Sequence, residues 1–229
     1  MKKHQRGFLL NPWRFAAAGG TDPYFANVSC LLHLEGADTS TSIVDVKGKA
    51  WSALNGAALS TARKPFGGSS VLFDGVNDSV EMDSATADVA FGTGDYTIEC
   101  WLYSTATTSN QAIIVPNSGH NWGLNKSVGN IFWFDGATKG STNFPANSWA
   151  HVAVCRSSGT SRLFVGGVST ASSWADTLNF SASGRTRCGF ASGYSSTGFA
   201  GNMKEVRITK GIARYTSNFT PPTGPFPDA

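Results

Sequence analysis

Charged residues are scarce in this sequence. Asp, Glu, Lys and Arg make up 14% of its 229 residues, whereas soluble domains carry about 25%. Long apolar runs are missing too, since no stretch approaches the roughly 18 apolar residues of a membrane-spanning helix. The four cysteines form no C-x-x-C pair, which argues against a zinc site. Cys30, Cys100 and Cys155 adjoin apolar runs, so we predict buried reduced thiols, with disulfides as the alternative.

Glycine and aromatic residues are abundant instead. The chain contains 26 Gly, 15 Phe and 7 Trp, and 41% of its residues are hydrophobic. Turn-forming glycines and β-favouring rings indicate an all-β chain. The hydrophobic content is high enough to build a packed core, which excludes a disordered chain.

The positive charge is concentrated at the N-terminus. Residues 1–28 contain four basic residues and one acidic residue, which accounts for the whole formal net charge of +3. The 14 basic and 14 acidic residues of 29–229 cancel. Nucleic-acid binding usually needs a basic face on the folded domain, so we predict no nucleic-acid partner. Because the sequence has no apolar run long enough to span a membrane, we also predict no membrane partner.

Residues 1–28 are predicted to form an extended arm. Pro12 and Pro23 interrupt it, and its basic and aromatic residues suit a peptide that orders on a partner. The anchoring residues would be Lys2, Lys3, Arg6, Phe8, Trp13, Arg14 and Phe15. The alternatives are a disordered terminus or a strap along the chain's own domain. Asn11 and Pro12 end the apolar run Phe8–Leu10 early, so no signal peptide is predicted.

From Ser29 onward, short apolar runs recur between turn residues. The clearest run is Tyr96–Tyr103, which alternates and places Tyr96, Ile98, Cys100 and Leu102 on one face. Residues 74–78 carry a hairpin signature. Helical turns are predicted only near 85–90 and 212–215, and the Pro-rich residues 221–227 are predicted to be an extended strap. This pattern is typical of a two-sheet sandwich or jelly roll.

Seven runs, in order along the chain, resemble the concanavalin A-like, laminin G-type jelly roll, and most closely the version found in bacteriophages and prophages. They are 31–36 (Leu-Leu-His-Leu-Glu-Gly), 64–75, 91–101, 149–154, 163–167, 206–211 and 213–222 (Ala-Arg-Tyr-Thr-Ser-Asn-Phe-Thr-Pro-Pro). The resemblance implies an all-β, two-sheet antiparallel jelly-roll domain over residues 29–229, after the arm 1–28. Because this fold hosts many activities, the resemblance does not by itself imply one function.

The resemblance also bears on metal binding. Some members of the family hold a structural calcium ion at an acid-glycine corner and at an aspartate in a late strand. Glu35 suits the corner, but Lys204 stands where the family often has the aspartate. Since Ca²⁺ needs oxygen ligands, we predict no cofactor and expect the Lys204 ammonium to neutralise Glu35, with calcium at Glu35 as the alternative.

Catalytic motifs are missing from the sequence. No Gly-x-Ser-x-Gly elbow, His-Glu-x-x-His pair or P-loop occurs. A retaining glycosidase needs two carboxylates about 5 Å apart, and only Glu81 and Asp83 have a suitable i, i+2 spacing on a predicted strand. These two are more simply explained as solvated turn acids, so we predict that the protein is not an enzyme.

A sugar site would combine an aromatic platform with nearby amide and carboxylate groups. Trp101 and Trp149 match structural core positions of the family and are excluded. The remaining candidates near predicted turns or strand ends are His120, Asn121, Trp122, Trp133, Asp135, Trp174 and Tyr194. Trp133 alternates with Ile131, so a core position is its alternative.

The arm and the phage-type domain together favour a non-enzymatic protein of a tailed-phage virion, assembled in the host cytoplasm. The arm 1–28 would bind other capsid or tail proteins. The jelly roll would be displayed on the particle as a head decoration or a tail-fibre-like protein, where host-surface polysaccharide is its expected ligand. A homo-oligomer in the particle is expected, although no coiled-coil heptad marks one. The alternatives are a secreted or cell-surface lectin and a glycan hydrolase.

Overall fold

A computed structural model of the protein describes residues 20–85, 87–105, 110–116, 122–169, 172–180, 185–191 and 198–229. The predicted anchoring residues Lys2 to Phe15 lie outside this part of the chain, as do His120, Asn121 and Tyr194. No helix in the described part is long and apolar enough to cross a membrane.

Short strands dominate the described residues. In chain order they are β1 (Val28–Leu32), β2 (Ser42–Ile43), β3 (Trp51–Leu54), β4 (Ala58–Ser60), β5 (Ser70–Asp74), β6 (Ser79–Met82), β7 (Tyr96–Ser104), β8 (Gln111–Val115), β9 (Trp122–Ser127), β10 (Asn130–Asp135), β11 (Thr138–Asn143), β12 (Trp149–Ser157), β13 (Thr160–Val165), β14 (Val168–Ser169), β15 (Trp174–Ala175), β16 (Arg187–Cys188) and β17 (Ala200–Lys210). Two 3₁₀ turns, Phe25–Asn27 and Ala87–Val89, accompany them. The second confirms the turn predicted near residues 85–90.

The strands form two antiparallel sheets. One sheet has nine strands in the order β14-β13-β12-β7-β17-β5-β4, with β1 also beside β17 and β15 also beside β13. The other has eight strands in the order β11-β10-β9-β8-β16-β6-β3-β2. Side chains from both sheets share one hydrophobic core between them. This arrangement confirms the predicted all-β sandwich of the jelly-roll type.

The alternation of β7 is confirmed. Tyr96, Ile98, Cys100 and Leu102 are fully buried in the core. Their odd-numbered neighbours point to the outer face of the nine-stranded sheet, yet Thr97 and Glu99 are also fully buried. Other segments of the chain must therefore cover part of that outer face.

The four cysteines are free and buried, as the sequence predicts. Burial raises the pKa of the Cys155 thiol and of the Cys188 thiol to about 12. Because the thiolate is the reactive form, these groups serve as small apolar core residues.

The hairpin predicted at residues 74–78 is wrong. β5 before it belongs to the nine-stranded sheet and β6 after it to the eight-stranded sheet. Both edges of β5 are already paired, with β4 and β17, and both edges of β6 with β3 and β16. The Asp-Gly sequence therefore marks a crossing between the sheets, where the Asp78 carboxylate accepts the backbone N–H of Asp74.

The helical turn predicted near residues 212–215 is also wrong. The hydroxyl of Thr97 on β7 donates to the Ile212 carbonyl and accepts the backbone N–H of Arg214. Since the sheet satisfies these backbone groups, the segment does not need helical hydrogen bonds.

A buried carboxylate organises the covered part of the outer face. Glu99 accepts hydrogen bonds from Arg207 Nε at 2.9 Å and from the Tyr215 hydroxyl at 2.8 Å, and His151 Nε2 lies 3.1 Å away. Burial alone would raise the pKa of Glu99, but Arg207, His151 and Arg214 hold it far below its usual range. The carboxylate is therefore ionised, and it joins β7 to β12, β17 and the C-terminal segment.

Asp22 extends this network to the N-terminal side. Its carboxylate accepts hydrogen bonds from Arg214 Nη2 at 2.7 Å and from Arg207 Nη1 at 3.1 Å, and its backbone N–H donates to the Ala229 carbonyl. Burial would raise the pKa of Asp22, yet the two guanidiniums lower it. Asp22, inside the predicted arm at residues 1–28, is thus fastened to the domain.

The C-terminal strap, residues 211–229, covers the same half of the sheet. The Phe226 ring lies 3.8 Å from the Arg207 guanidinium. Tyr215 and Phe219 stack on each other at 3.6 Å and pack with Ala153 and Phe164 on the sheet. The prediction of an extended, non-strand segment at residues 221–227 is confirmed.

We predict that Glu99→Ala lowers the free energy of unfolding by about 3–5 kcal/mol, because it removes one of the two carboxylates that compensate the buried guanidiniums of Arg207 and Arg214. The exposed Asp83→Ala, which removes one hydrogen bond to Ser52, should cost less than about 1 kcal/mol. Urea unfolding followed by tryptophan fluorescence measures both. Equal losses in the two variants would contradict a central role for Glu99.

Candidate functional site

Two of the predicted sugar contacts are core residues. Trp122 and Trp133 lie on neighbouring strands with their ring centroids 5.7 Å apart, and Phe180 packs on Trp122 at 4.5 Å. Trp133 is 0% exposed and Trp122 4%. A sugar cannot stack on an indole that the core encloses, so the structure corrects the expectation for both rings.

Asp135 and Trp174 are only partly buried. Asp135 lies opposite Trp122 in the β9–β10 register, and burial raises the pKa of its carboxyl while Lys139 opposes that effect. Trp174 packs against Gly140, where an added Cβ would lie 2.5 Å from the indole. Asp135 thus lies beside the strand positions of the buried Trp122 and Trp133, and Gly140 covers one side of the Trp174 indole. His120, Asn121 and Tyr194 lie outside the described residues.

The carboxylate pair that we weighed for catalysis is already engaged. Glu81 is buried and bound by Arg187 at 3.0 Å and by Arg185 at 3.4 Å. Asp83 accepts a hydrogen bond from Ser52 at 2.7 Å. The Glu81 carboxylate is thus occupied by two guanidiniums, and Asp83 by the Ser52 hydroxyl.

Four partly exposed rings lie on the outer face of the nine-stranded sheet, beside the half that the strap covers. Trp101 and Tyr103 project from β7, and Trp149 lies opposite Tyr103 on β12 with 5.8 Å between ring centroids. Phe66, from the loop between β4 and β5, meets Trp101 edge-on at 5.6 Å. We call these four residues the aromatic strip.

From the sequence we assigned Trp101 and Trp149 to the core and therefore excluded them as sugar contacts. Their assignment to the core is wrong. Both are partly exposed, because the odd positions of β7 face outward, as does Trp149, which lies opposite Tyr103. The alternation of β7 could have predicted the outward position of Trp101 and Tyr103, since Cys100 and Leu102 already fill the core face.

Polar groups border the strip. The exposed Arg63 places its guanidinium 5.1 Å from the Tyr103 ring centroid. Asn202, opposite Tyr103 on β17, donates from its amide to Ser70 Oγ at 3.1 Å. Its buried Oδ1 and the buried Nε1 of Trp101 find no hydrogen-bond partner among the described residues. An aromatic surface with an unused acceptor and an unused donor can hold a ligand that carries hydroxyl groups.

An ion pair fixes the loop between β4 and β5, which supplies Arg63 and Phe66. The buried Lys204 ammonium contacts the Glu35 carboxylate and donates to the Ser69 carbonyl at 2.6 Å. The Glu35 carboxylate in turn accepts the Ser69 N–H at 3.0 Å. Gly68 has a left-handed φ of 80°, and a Cβ there would lie 1.4 Å from Glu35 Oε2, so a side chain at this position would be strained and would displace the Glu35 carboxylate. The expected neutralisation of Glu35 by Lys204 is confirmed.

These residues do not fit a calcium site. The Glu35 carboxylate is occupied by an ammonium and a backbone N–H, and Lys204 brings a positive charge where calcium needs an oxygen ligand. Among the residues that the structure describes, no group of three or more His, Cys, Asp or Glu could hold a metal ion.

A second charge cluster fastens the C-terminal strap. Glu205 has a left-handed φ of 54° at a register shift in β17, so it shares the outer face with Lys204 and Arg207. His33 Nδ1 lies 2.8 Å from Glu205 Oε2, and His33 Nε2 lies 2.6 Å from Asp228 Oδ1. Burial lowers the pKa of His33, but the two carboxylates outweigh it and raise the pKa to about 9.

Comparison with known proteins identifies the domain family. The family model of the concanavalin A-like lectin/glucanases superfamily matches residues 73–213. No curated protein sequence matches the chain.

Solved structures share the fold at low sequence identity. Domain 4 of a GH43 extracellular arabinanase from Geobacillus stearothermophilus, in complex with arabinotriose, has a TM-score of 0.62 and 13% identity over 82% of this chain and 94% of its own. The binding domain of Paraclostridial Mosquitocidal Protein 1 has a TM-score of 0.63 and 12% identity over 83% of this chain. A structure of botulinum neurotoxin type C, whose cell entry is dependent upon interaction with two ganglioside molecules, has a TM-score of 0.58 and 12% identity over 83% of this chain. The chain covers 51% and 50% of these two toxin chains.

We predict a loss of stability in alkali that depends on His33. A pKa raised in the folded state stabilises the protein fully below the unfolded value near 6.5, and the gain disappears as the pH rises through about 9. His33→Gln should therefore lose about 2 kcal/mol relative to the unmodified chain at pH 6, with allowance for the exposure of Asp228, and almost nothing at pH 10. Urea unfolding at each pH gives the difference. A difference that stays constant from pH 6 to pH 10 would show that the charge of His33 is not involved.

Proposed function

Because the chain belongs to the concanavalin A-like lectin/glucanases superfamily, we propose that it binds carbohydrate on the aromatic strip. The observation that carries this proposal is the exposure of Trp101, Tyr103 and Trp149 on one sheet face. Aromatic rings stack on the C–H faces of sugars, while amide and guanidinium groups bind hydroxyls. The arabinotriose bound to one structural neighbour and the gangliosides bound by another support a sugar ligand.

We propose a binding role rather than a hydrolytic one. The two carboxylates with a catalytic spacing in the sequence lie far from the strip in the fold, since Glu81 is on β6 of the other sheet. Glu35, the acidic residue beside the loop, is neutralised by Lys204. Within the described part of the chain, the strip thus has rings and hydrogen-bonding groups for recognition without a free acid and base pair beside them.

The strip is tested by removing its rings. We expect Tyr103→Ala with Trp149→Ala to weaken binding to glycan-array ligands about 10-fold or more, because each stacked ring contributes roughly 0.5–1.5 kcal/mol beyond its buried area. Trp174→Phe, in the region that the sequence favoured, is the matched control and should leave binding unchanged. Unfolding temperatures confirm that both proteins are folded. Loss of binding in Trp174→Phe alone would place the site elsewhere.

We further propose that the protein is displayed on a tailed-phage particle and is held there by its N-terminal arm. The charge segregation of the arm supports this, since residues 1–28 carry the whole excess of positive charge. The described end of that segment supports it as well, because Asp22 is fastened to Arg214 and Ala229 in the covered half of the sheet. Attachment at this half leaves the aromatic strip free for a ligand.

Deletion of residues 1–19 tests the attachment. The shortened protein keeps Asp22, so we expect a normal unfolding temperature together with loss of co-sedimentation with phage particles from the producing culture. A longer deletion, of residues 1–25, also removes the Asp22 carboxylate and should lower the unfolding temperature, so it cannot separate attachment from folding. Co-sedimentation that survives removal of residues 1–19 would refute the anchoring role of the arm.

A further inference from the structure

Beside the aromatic strip, the acidic side chains have partners, whereas two basic side chains have no carboxylate partner among the described residues. Arg63 and Lys64 are exposed, and neither forms an ion pair with another residue in the part of the chain that the structure describes. The acidic side chains of the neighbouring loops are engaged elsewhere. Glu35 contacts Lys204 and the Ser69 N–H, and Asp38 accepts both the N–H and the hydroxyl of Thr61. The solvent side of the strip therefore presents two cations without carboxylate partners.

The position of Arg63 suits recognition of an anionic group. Its guanidinium lies over the Tyr103 ring, 5.1 Å from the centroid, and Ser70 Oγ donates to the Arg63 carbonyl. A guanidinium that stacks on a ring keeps its N–H edge available for a forked pair of hydrogen bonds to a carboxylate. A sugar lying on Tyr103 would bring such a group within reach of Arg63.

A second observation distinguishes a sugar from a simple anion. Asn202 is 1% exposed, and its Oδ1 has no hydrogen-bond partner among the described residues. The carbonyl oxygen of an amide only accepts hydrogen bonds, so it needs a donor such as a hydroxyl. A fully deprotonated anion such as sulfate offers no such donor, whereas every sugar does.

We propose that the ligand of the aromatic strip is an acidic oligosaccharide whose sugar units carry carboxylates, with Arg63 binding a carboxylate and Asn202 accepting a hydroxyl. This inference rests on the proposed carbohydrate-binding function and specifies its ligand class. Asp74, an exposed carboxylate at the end of β5, lies two strands away from β7 in the sheet order. The positive side of the strip is thus the side of the loop, and it orients the ligand.

The experiment compares sugars that differ only in charge. Sialyllactose with its carboxyl methyl ester, and oligogalacturonate with its methyl ester, are printed on one array and titrated against the full chain. We expect at least one acidic member to bind about 10-fold more tightly than its neutral partner, as one charge-assisted hydrogen bond gives, and the difference to shrink in 1 M salt. Arg63→Gln should remove the difference between the acidic and the neutral member. Arg162→Gln is the matched control, because Arg162 lies opposite Cys155 at the far end of the same sheet, and it should retain the difference.

The outcomes separate this inference from the function on which it rests. Equal binding of acidic and neutral members that still depends on Tyr103 and Trp149 overturns the acidic ligand and leaves carbohydrate binding standing. A preference for the acidic member that persists in Arg63→Gln also overturns it. If no sugar pair binds, or if binding ignores the strip residues, both proposals fail.

Discussion

The ionised carboxylate of Glu99, buried on the outer face of a sheet, is the constraint on which the rest of this structure depends. A charge in that position must be fully compensated, because an unpaired buried ion costs several kcal/mol. Arg207, His151 and Tyr215 supply the compensation. Arg207 and the neighbouring Arg214 then require a second carboxylate, which Asp22 provides. One buried acid on β7 thereby determines where both ends of the described chain are fastened.

The charged residues of β17 continue the same logic. The register shift at Glu205 places Lys204, Glu205 and Arg207 on the outer face. Each of them binds a different segment: Lys204 the corner at Glu35, Glu205 the side chain of His33 and, through it, the strap, and Arg207 the N-terminal segment. The outer face is consequently divided into a half sealed by chain segments and a half that exposes rings. The candidate site is the part that the network does not cover.

The sequence allowed the fold to be predicted well, because alternation is a local property. The inward set on β7 followed from period two alone, and the pairing of Lys204 with Glu35 followed from charge at a resembling position. Pairings that depend on distant partners could not be predicted. The Asp-Gly sequence at residues 74–75 is compatible with a hairpin or with a crossing, and only the occupied edges of β5 decide between them. The site was missed for a related reason. Exposure of Trp101 depends on which part of the outer face other chain segments cover, while enclosure of Trp122 and Trp133 depends on packing by Phe180.

We propose that the exposed half of the nine-stranded sheet holds the ligand. A crystal structure of the full chain with a bound oligosaccharide selected on the array tests this placement. We expect a sugar ring in contact with Tyr103 or Trp149, within about 4 Å of the aromatic carbons, and a sugar hydroxyl on Asn202 Oδ1. A ligand bound beside Asp135 and Trp174, with the aromatic strip empty, would contradict it.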